Sequence, residues 1–459
     1  MAQFPYLVIS PNALLSLIGF LHGPDRTVPT PAEDWREATV DVVIPAHNEE
    51  EHIVLCLASV LRQTMKPKRI ILIDDGSTDR TFDYAKAFCE ENGVELVAVK
   101  RAAAIGKTPT IKRQAREFDS DVEFILDGDT ILESDNYIAR TVQELYQAVG
   151  IASACGTILP MRRKDRRPIE QTEPVRRFRA AHPQSAMSPQ RSWWHRLEQG
   201  LTDMYRDVLY TFLQRFVYRG QMIFFGTMSN PVGCAVAYRR KYIQNLFDHY
   251  EPILGDDLTN SEDIFIGFAL LSEGYRNIQL DDVYARTQEP QASRLPKQIY
   301  LWSSSFFQSC YYFNNLLTSP FKAFRRAVQR RKAKQSGVEN KRRVHEPYRQ
   351  RFGRDWTDRY GRPIGWVLFM SAIEKIGFPA ALIAMAALQL WEPLLITIVA
   401  ESFLALATLA LVTRGQRLAY VGKGLLVTPV RYLSIFSDFF TMLRFSFDLW
   451  ITRNRSWRK

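Results

Sequence analysis

The sequence is short of the residues that build covalent or zinc-held frameworks. Its five cysteines, Cys56, Cys89, Cys155, Cys234 and Cys310, are odd in number and never spaced as CxxC. A disulfide framework and a zinc site are therefore excluded, and a reducing compartment is the default expectation. The seven histidines are equally dispersed, and His47 and His52, five apart, do not share a helical face. No internal repeat or low-complexity tract is visible. The apolar stretch 4–22 is interrupted by Pro5, Pro11 and Asn12 and has neither a basic start nor a small-residue cleavage site. It reads as an interfacial or short membrane helix rather than a signal peptide.

Acidic residues are scarce in one place. The chain carries 60 Lys plus Arg against 49 Asp plus Glu, a net charge of +11. Residues 322–362 hold 15 of those bases and only four acids, Glu339, Glu346, Asp355 and Asp358, so this block accounts for the whole excess. A uniformly basic surface would suit nucleic acid; one basic block ahead of apolar segments suits the cytoplasmic side of a membrane. The segments that follow, 363–390 and 393–413, carry few charges, Glu374, Lys375 and Glu401 among them. Each is long enough to cross an apolar layer of roughly 30 Å. Residues 419–451 are apolar too but include Lys423, Arg431, Asp438, Arg444 and Asp448, and fit either a third span or an interfacial helix. The basic tail prefers the cytoplasm, which favours an even number of spans after the basic block.

With 459 residues, two or three units are expected. From 39 to 158, "TVDVVIPA", "RIILIDD", "VELVAV", "VEFILDGD" and "IASACGTIL" read as strands, with helices near 49–63, 79–91, 108–118 and 135–147. Such alternation implies an α/β fold with a doubly wound, mostly parallel sheet. Asn48 with Glu51 reads as a capping box, and Ser77 and Ser134 stand where N-caps belong. Residues 161–192, polar and basic with four prolines, read as a loop. In 193–221 aromatics and leucines recur at helical spacing beside Arg and Asp, which suits an amphipathic helix on a membrane surface, one against the α/β domain, or plain core packing. The expected units are an N-terminal apolar segment (1–38), the α/β domain (39–310), a basic cytoplasmic loop (311–362) and C-terminal transmembrane and interfacial helices (363–459).

In an open α/β sheet, ligands bind beyond the carboxyl ends of the strands. Pro45 to Asn48, Asp74 with Asp75, and Asp127 with Asp129 stand at three such ends. Either "DDGS" or "DGDT" alone is a good turn; their joint placement points to a site. Acidic pairs repel an anionic diphosphate unless a divalent cation intervenes. Asp129 and Asp127 offer hard oxygen ligands suited to Mg²⁺ or Mn²⁺, so a nucleotide diphosphate with its metal is the inferred ligand. "AIGKT" at 104–108 is a fragment of a P-loop, but Arg101 stands where the leading glycine belongs. Lys107, at a helix start, still suits a phosphate or ribose contact. Four more acids lie in "GDDLTNSEDIF" (255–265). Thr259 and Glu262 fit a capping box, and Asp263 falls in the first helical turn, where the helix dipole helps keep it ionised.

These ordered motifs resemble the membrane-integrated family 2 glycosyltransferases, specifically the hyaluronan synthase, chitin synthase and nodulation chitooligosaccharide synthase group, over about 39–310. The resemblance implies a GT-A catalytic fold and inversion at the anomeric carbon of a nucleotide sugar, of the UDP type, with Mg²⁺ or Mn²⁺. "VVIPAHNEE" would put Ala46 and Glu49 near the nucleotide, and "IDDGSTD" would have Asp75 read the uracil or ribose. "GK" would be Gly106 and Lys107, and "DGDT" the metal-binding DxD of Asp127 and Asp129. "GCAVAYRR" is similar to an acceptor-side segment beginning at Gly233, with Cys234 in place of a proline. "KQIYLW" matches the frame of QxxRW at Gln298 and Trp302, with Leu301 at the arginine position. The family's base precedes an aromatic by 12 positions; Asp263 to Tyr275 is 12 and Asp257 is 18, so Asp263, beside Glu262, is the candidate base. The resemblance thus implies an integral membrane enzyme with a cytosolic catalytic domain. Its partners would be a nucleotide sugar donor, a polysaccharide acceptor and membrane lipids, with no nucleic acid. The alternatives are transfer to a lipid acceptor, or a non-catalytic partner of another synthase.

Overall fold

The computed structural model describes residues 10–22, 29, 31, 33–117, 119–185, 187, 192–248, 250, 261–335, 348 and 350–452. Its centre is an eight-stranded sheet in the order β3-β2-β1-β4-β7-β6-β8-β5. The strands are β1 (Val40–Ala46), β2 (Arg69–Asp74), β3 (Leu96–Lys100), β4 (Val122–Leu126), β5 (Thr130–Leu132), β6 (Ile151–Pro160), β7 (Ala235–Arg239) and β8 (Arg276–Thr287). The strands β3, β2, β1 and β4 run parallel. Beyond β4 the sheet is mixed: β7 is antiparallel to both β4 and β6, β8 is parallel to β6, and β5 is antiparallel to β8. The expectation of a mostly parallel sheet therefore holds for the first half, and β5, β7 and β8 are additions to it. Nearly every residue of β1, β2 and β4 is buried. Both faces are covered, which is why these strands read as unbroken apolar runs.

Among the described residues, sixteen helices of seven residues or more flank the sheet, continue the chain beyond it, or both. They are α1 (Pro11–His22), α2 (Ile53–Leu61), α3 (Thr81–Glu91), α4 (Lys107–Glu117), α5 (Tyr137–Leu145), α6 (Arg163–Glu170), α7 (Glu173–Ala181), α8 (Trp193–Phe212), α9 (Arg219–Phe225), α10 (Glu262–Glu273), α11 (Leu295–Tyr312), α12 (Ala323–Gln335), α13 (Arg354–Tyr360), α14 (Gly365–Ala387), α15 (Trp391–Val412) and α16 (Arg417–Phe447). Val42 and Ile44 meet α2, α3 and α5 on one face, while Val43, Ile71 and Ile125 meet Phe265, Phe268 and Phe313 on the other.

Three expected caps are corrected. The α2 helix begins at Ile53, and Asn48 instead lies in the left-handed region (φ 58°), its side chain accepting from the Thr78 backbone. Ser77 accepts from the Asn48 backbone and Ser134 from the Tyr284 backbone, so each hydroxyl ties together loops rather than starting a helix. The stretch 161–192 is not a plain loop but contains α6 and α7. Pro174 sits in the first turn of α7, where a missing N–H costs nothing, and Phe178 packs edge-on against Tyr84 and Phe88. The basic block 311–362 is likewise largely helical where it is described, as α12 and α13. Arg, Lys, Gln and Ala are all good helix formers. The expected capping role of Thr259, and Asp256 and Asp257, lie outside the described residues; α10 starts after Ser261.

Two helices, α14 and α15, are long and apolar enough to cross a membrane, and little of either is buried inside the protein. Leu395, Ile396, Val399 and Phe403 are each more than half exposed. The core helix of a water-soluble domain would hide such residues. The N-terminal α1 crosses α9 so closely that a Cβ on Gly19 would stand 2.1 Å from the Gly220 carbonyl oxygen. Small residues at such a crossing are what lets helices in an apolar medium pack backbone to backbone. The α16 helix runs along α11, α8, α14 and α15 and carries charges that find partners there. Arg431 pairs with Glu401 in two contacts of 2.5 and 2.6 Å, Lys375 with Asp438, and Lys423 with Asp207 at 2.5 Å.

Candidate active site

The parallel half of the sheet reverses its order at β1, between β2 and β4, and the crevice at their carboxyl ends is where ligands bind in such sheets. Ala46 ends β1; its carbonyl accepts from the Asp75 backbone at 2.8 Å. Gly128 approaches Ala46 and Glu49 so nearly that a Cβ there would lie 3.1 Å from the Ala46 methyl carbon. The small residue at 46 thus follows from the DGD turn beside it.

Lys107, the first residue of α4, connects the motifs. Its Nζ lies 2.7 Å from an Asp127 oxygen, 2.7 Å from a Glu262 oxygen and 3.1 Å from the Gly233 carbonyl. Burial would draw its proton off, but Asp127 and Glu262 outweigh that and hold the ammonium charged, well above its ordinary range. Next to it, Asp263 is held from three sides. One oxygen accepts from the Gly233 backbone at 3.0 Å, the other from the Ile264 backbone at 2.8 Å and from the Ser261 hydroxyl at 2.5 Å. A Cβ on Gly233 would lie 2.8 Å from the Asp263 Cβ, so only glycine lets this backbone N–H reach the carboxylate. Burial, then the Glu262 charge, push the Asp263 carboxyl up to about 6 despite those donors.

Asp129 accepts weakly from Thr130 and Thr287, at 3.2 and 3.3 Å. Burial, followed by the charges of Glu49 and Asp127, pushes it up to about 7. Burial and Asp127 push Glu49 up to about 8, although His52 lies 2.9 Å from it. Asp127 thus raises both neighbours and Glu49 raises Asp129, which is the signature of a place short of positive charge. Among the described residues no group of three or more His, Cys, Asp or Glu is arranged to hold a metal alone. The donors fit a Mg²⁺- or Mn²⁺-type ion only as a partial set, one or two carboxylates whose remaining partners are substrate phosphates and water.

Asp75 stands apart. Burial raises its carboxyl, but the Ile105 backbone, Arg101 and the Gly106 backbone outweigh it and hold it below the usual carboxylate range. Both of its oxygens are engaged, with Arg101 at 2.8 Å and the Gly106 backbone at 2.7 Å, so in this structure it braces the loop 101–106. Gln298 and Trp302 lie on α11 and meet the site through a residue that motif reading missed. Arg206 of α8, fully buried, donates to the Gln298 side-chain Oε1, has its guanidinium carbon 4.3 Å from the Trp302 ring centre, and lies 3.4 Å from Glu289. Glu289 follows Gln288, whose backbone donates to the Asp129 carbonyl at 3.1 Å. A guanidinium from another helix therefore stands in the QxxxW frame whose own arginine position is Leu301. The only sequence signal was a basic residue within the apolar spacing of 193–221.

Residues 41–247 match the family model described as Glycosyl transferase family 2. The chain is 30% identical over 120 residues to an undecaprenyl-phosphate 4-deoxy-4-formamido-L-arabinose transferase of Serratia proteamaculans, covering 25% of this chain and 37% of that protein. It is 32% identical over 114 residues to glycosyltransferase GlyG of Streptococcus pneumoniae, covering 24% and 35%. The chain thus spans little more than a third of the length of these curated relatives. Among solved structures, a mannosyltransferase of Pyrobaculum calidifontis in complex with GDP-Man and Mn²⁺ is similar at 14% identity and a TM-score of 0.49, over 96% of this chain and 94% of that one. The family match agrees with the mixed sheet and its crevice: the fold is GT-A-like.

Proposed function

From the premise that residues 41–247 are a family 2 glycosyltransferase domain, we propose that the whole chain is an inverting, metal-dependent membrane enzyme. It moves a sugar from a nucleotide sugar, of the UDP type, to a growing β-linked polysaccharide. The observation that carries this reading is Lys107, which reaches Asp127 of the DGD turn and Glu262 of the second acidic pair at 2.7 Å each. This supports reading the donor-side and acceptor-side acids as parts of one site.

Asp263 is the base. Ionised at neutral pH yet lifted toward 6, it has more proton affinity than a surface carboxylate and suits proton removal near neutrality. As the acceptor hydroxyl oxygen bonds the anomeric carbon, its proton passes to Asp263. The bond from that carbon to the diphosphate breaks, and the nucleoside diphosphate leaves with the electron pair. Attack from the face opposite the leaving group inverts the centre. A Mg²⁺ or Mn²⁺ ion, held by Asp129 and Asp127, would offset charge on the departing diphosphate. Ala46, Glu49 and Asp75 border the donor. Gly233 aims the base, while Gln298 and the half-open Trp302 ring, fixed by Arg206, border the acceptor sugar.

Exposed apolar α14 and α15 support a membrane setting, and the basic residues just before α14 support a cytosolic catalytic domain. A lipid acceptor is the second reading, favoured by the relatives named as undecaprenyl-phosphate transferases. Incubating the purified full chain with radiolabelled UDP- and GDP-sugars plus Mn²⁺ or Mg²⁺, and sizing the product, tests both. Long β-linked chains support the first reading, and a single sugar on an extractable lipid the second. Release of no nucleotide from any donor would sink the enzymatic proposal and leave the non-catalytic partner.

A further inference from the structure

The α12 helix is built from good helix formers, and Arg326 donates to the Tyr360 carbonyl at 3.0 Å, but its charges and its apolar side weaken it. Six of its thirteen residues are Arg or Lys, none is acidic, and none is buried. Arg326 with Arg330, and Arg330 with Lys334, are like charges one turn apart, which weakens a helix. An isolated helix of this length is marginal in water even without such repulsion. Its apolar side is no better covered: Phe321, just before it, is 74% exposed, and Phe324 is 79% exposed. A surface combining negative charge with an apolar interior would answer both deficits.

Position selects which surface. Phe321 packs edge-on against Phe369, in the second turn of α14, with ring centres 5.4 Å apart. Trp366, in the first turn of α14, is also partly exposed, as aromatic residues at a membrane boundary are. The apolar side of α12 therefore begins where a bilayer-length helix begins. Between α12 and α13 lies an open groove of about 400 Å³, lined by Phe324, Arg325, Val328, Lys332, Arg359 and Tyr360. Three cations over two aromatic rings and a valine match a phosphate attached to a greasy stem. They do not match a bare anion, which has no use for the apolar lining.

We propose that α12 lies on the headgroup layer beside α14 and that the α12–α13 groove binds an anionic phospholipid of the bilayer. This rests on the membrane setting proposed above but not on glycosyl transfer, and its test reads lipid contact rather than catalysis. The full chain is reconstituted in nanodiscs of phosphatidylcholine alone or with one quarter phosphatidylglycerol, and hydrogen exchange is followed in peptides covering 320–335. Exchange on the order of tenfold slower with phosphatidylglycerol is expected, reversed by raising salt from about 0.1 to 0.5 M. The triple variant Arg325→Gln, Lys332→Gln, Arg359→Gln should abolish the difference while exchange in the β-sheet is unchanged. A second variant, Phe324→Ser, should weaken it with all cations retained. Equal exchange in the two lipids would overturn the proposal. So would equal slowing by inorganic phosphate in pure phosphatidylcholine, which would mark a site for free anions.

Discussion

Two regions of this molecule bury charge, and they do so in opposite ways. In the helical bundle three acids, Glu401, Asp438 and Asp207, are each matched by a cation. Arg431 and Glu401 face each other bidentately with the Tyr432 hydroxyl 2.8 Å from the same carboxylate, Lys375 and Ser303 meet Asp438, and Lys423, Arg162 and Tyr420 meet Asp207. At the carboxyl ends of the strands, Glu49, Asp127, Asp129, Glu262 and Asp263 meet fewer cations: Lys107 reaches Asp127 and Glu262, and His52 lies 2.9 Å from Glu49. The matched set needs nothing from outside and serves to hold helices in register. In the second set burial, and then neighbouring carboxylates, raise the proton affinities of Glu49, Asp129 and Asp263. Arriving positive charge or an added proton would relieve this set, and the proposed sugar transfer supplies both.

The contrast can be broken most severely at Asp263. Replacing it with Asn should lower kcat by about 10²–10⁴-fold while UDP affinity, measured by calorimetry, stays the same; full activity would remove it as the base. In the bundle the effect should fall on stability instead. Glu401→Gln leaves Arg431 without its carboxylate and should cost on the order of 3 kcal/mol, read as a lower thermal midpoint in detergent. The Glu401→Leu, Arg431→Leu pair should recover most of the loss, and folded protein of either kind should retain kcat.

A smaller change is expected at Asp129. Asn there should weaken Mn²⁺ binding in the presence of UDP by roughly tenfold or more, followed by the electron paramagnetic resonance signal of free Mn²⁺. Unchanged binding would move the metal elsewhere. The mildest perturbation is pH. Because the Asp263 carboxyl is raised to about 6 and acts deprotonated, kcat/KM at saturating metal should be level above that value. It should fall about tenfold per unit below it. A flat profile from pH 5 to 8 would contradict the role.

Much of the site was readable because its signals are local. Asp127 and Asp129 are two residues apart at a strand end, and the interval from Asp263 to Tyr275 chooses between two acidic pairs close together in the chain. The caps misled for a related reason: Asn48, Ser77 and Ser134 are the right residue types near helix starts, but their hydrogen bonds go to other loops. Turn residues near a helix satisfy whichever backbone group comes closest, and sequence distance does not say which that is.

The order of strands and helices up to β6, β5 excepted, the acidic motifs and the apolar, bilayer-length helices were determined by the sequence alone, since periodicity and short spacing survive in one dimension. The tertiary structure alone decided that β5, β7 and β8 complete the sheet and that Lys107 joins the two acidic motifs. It also decided that Arg206 fills the frame vacated at Leu301 and that every charge of the Arg431, Lys375 and Lys423 group has its partner. Each of these joins residues far apart in the chain. Burial, not proximity in sequence, makes such a contact favourable, because a charge removed from water must find its partner wherever the fold has put one.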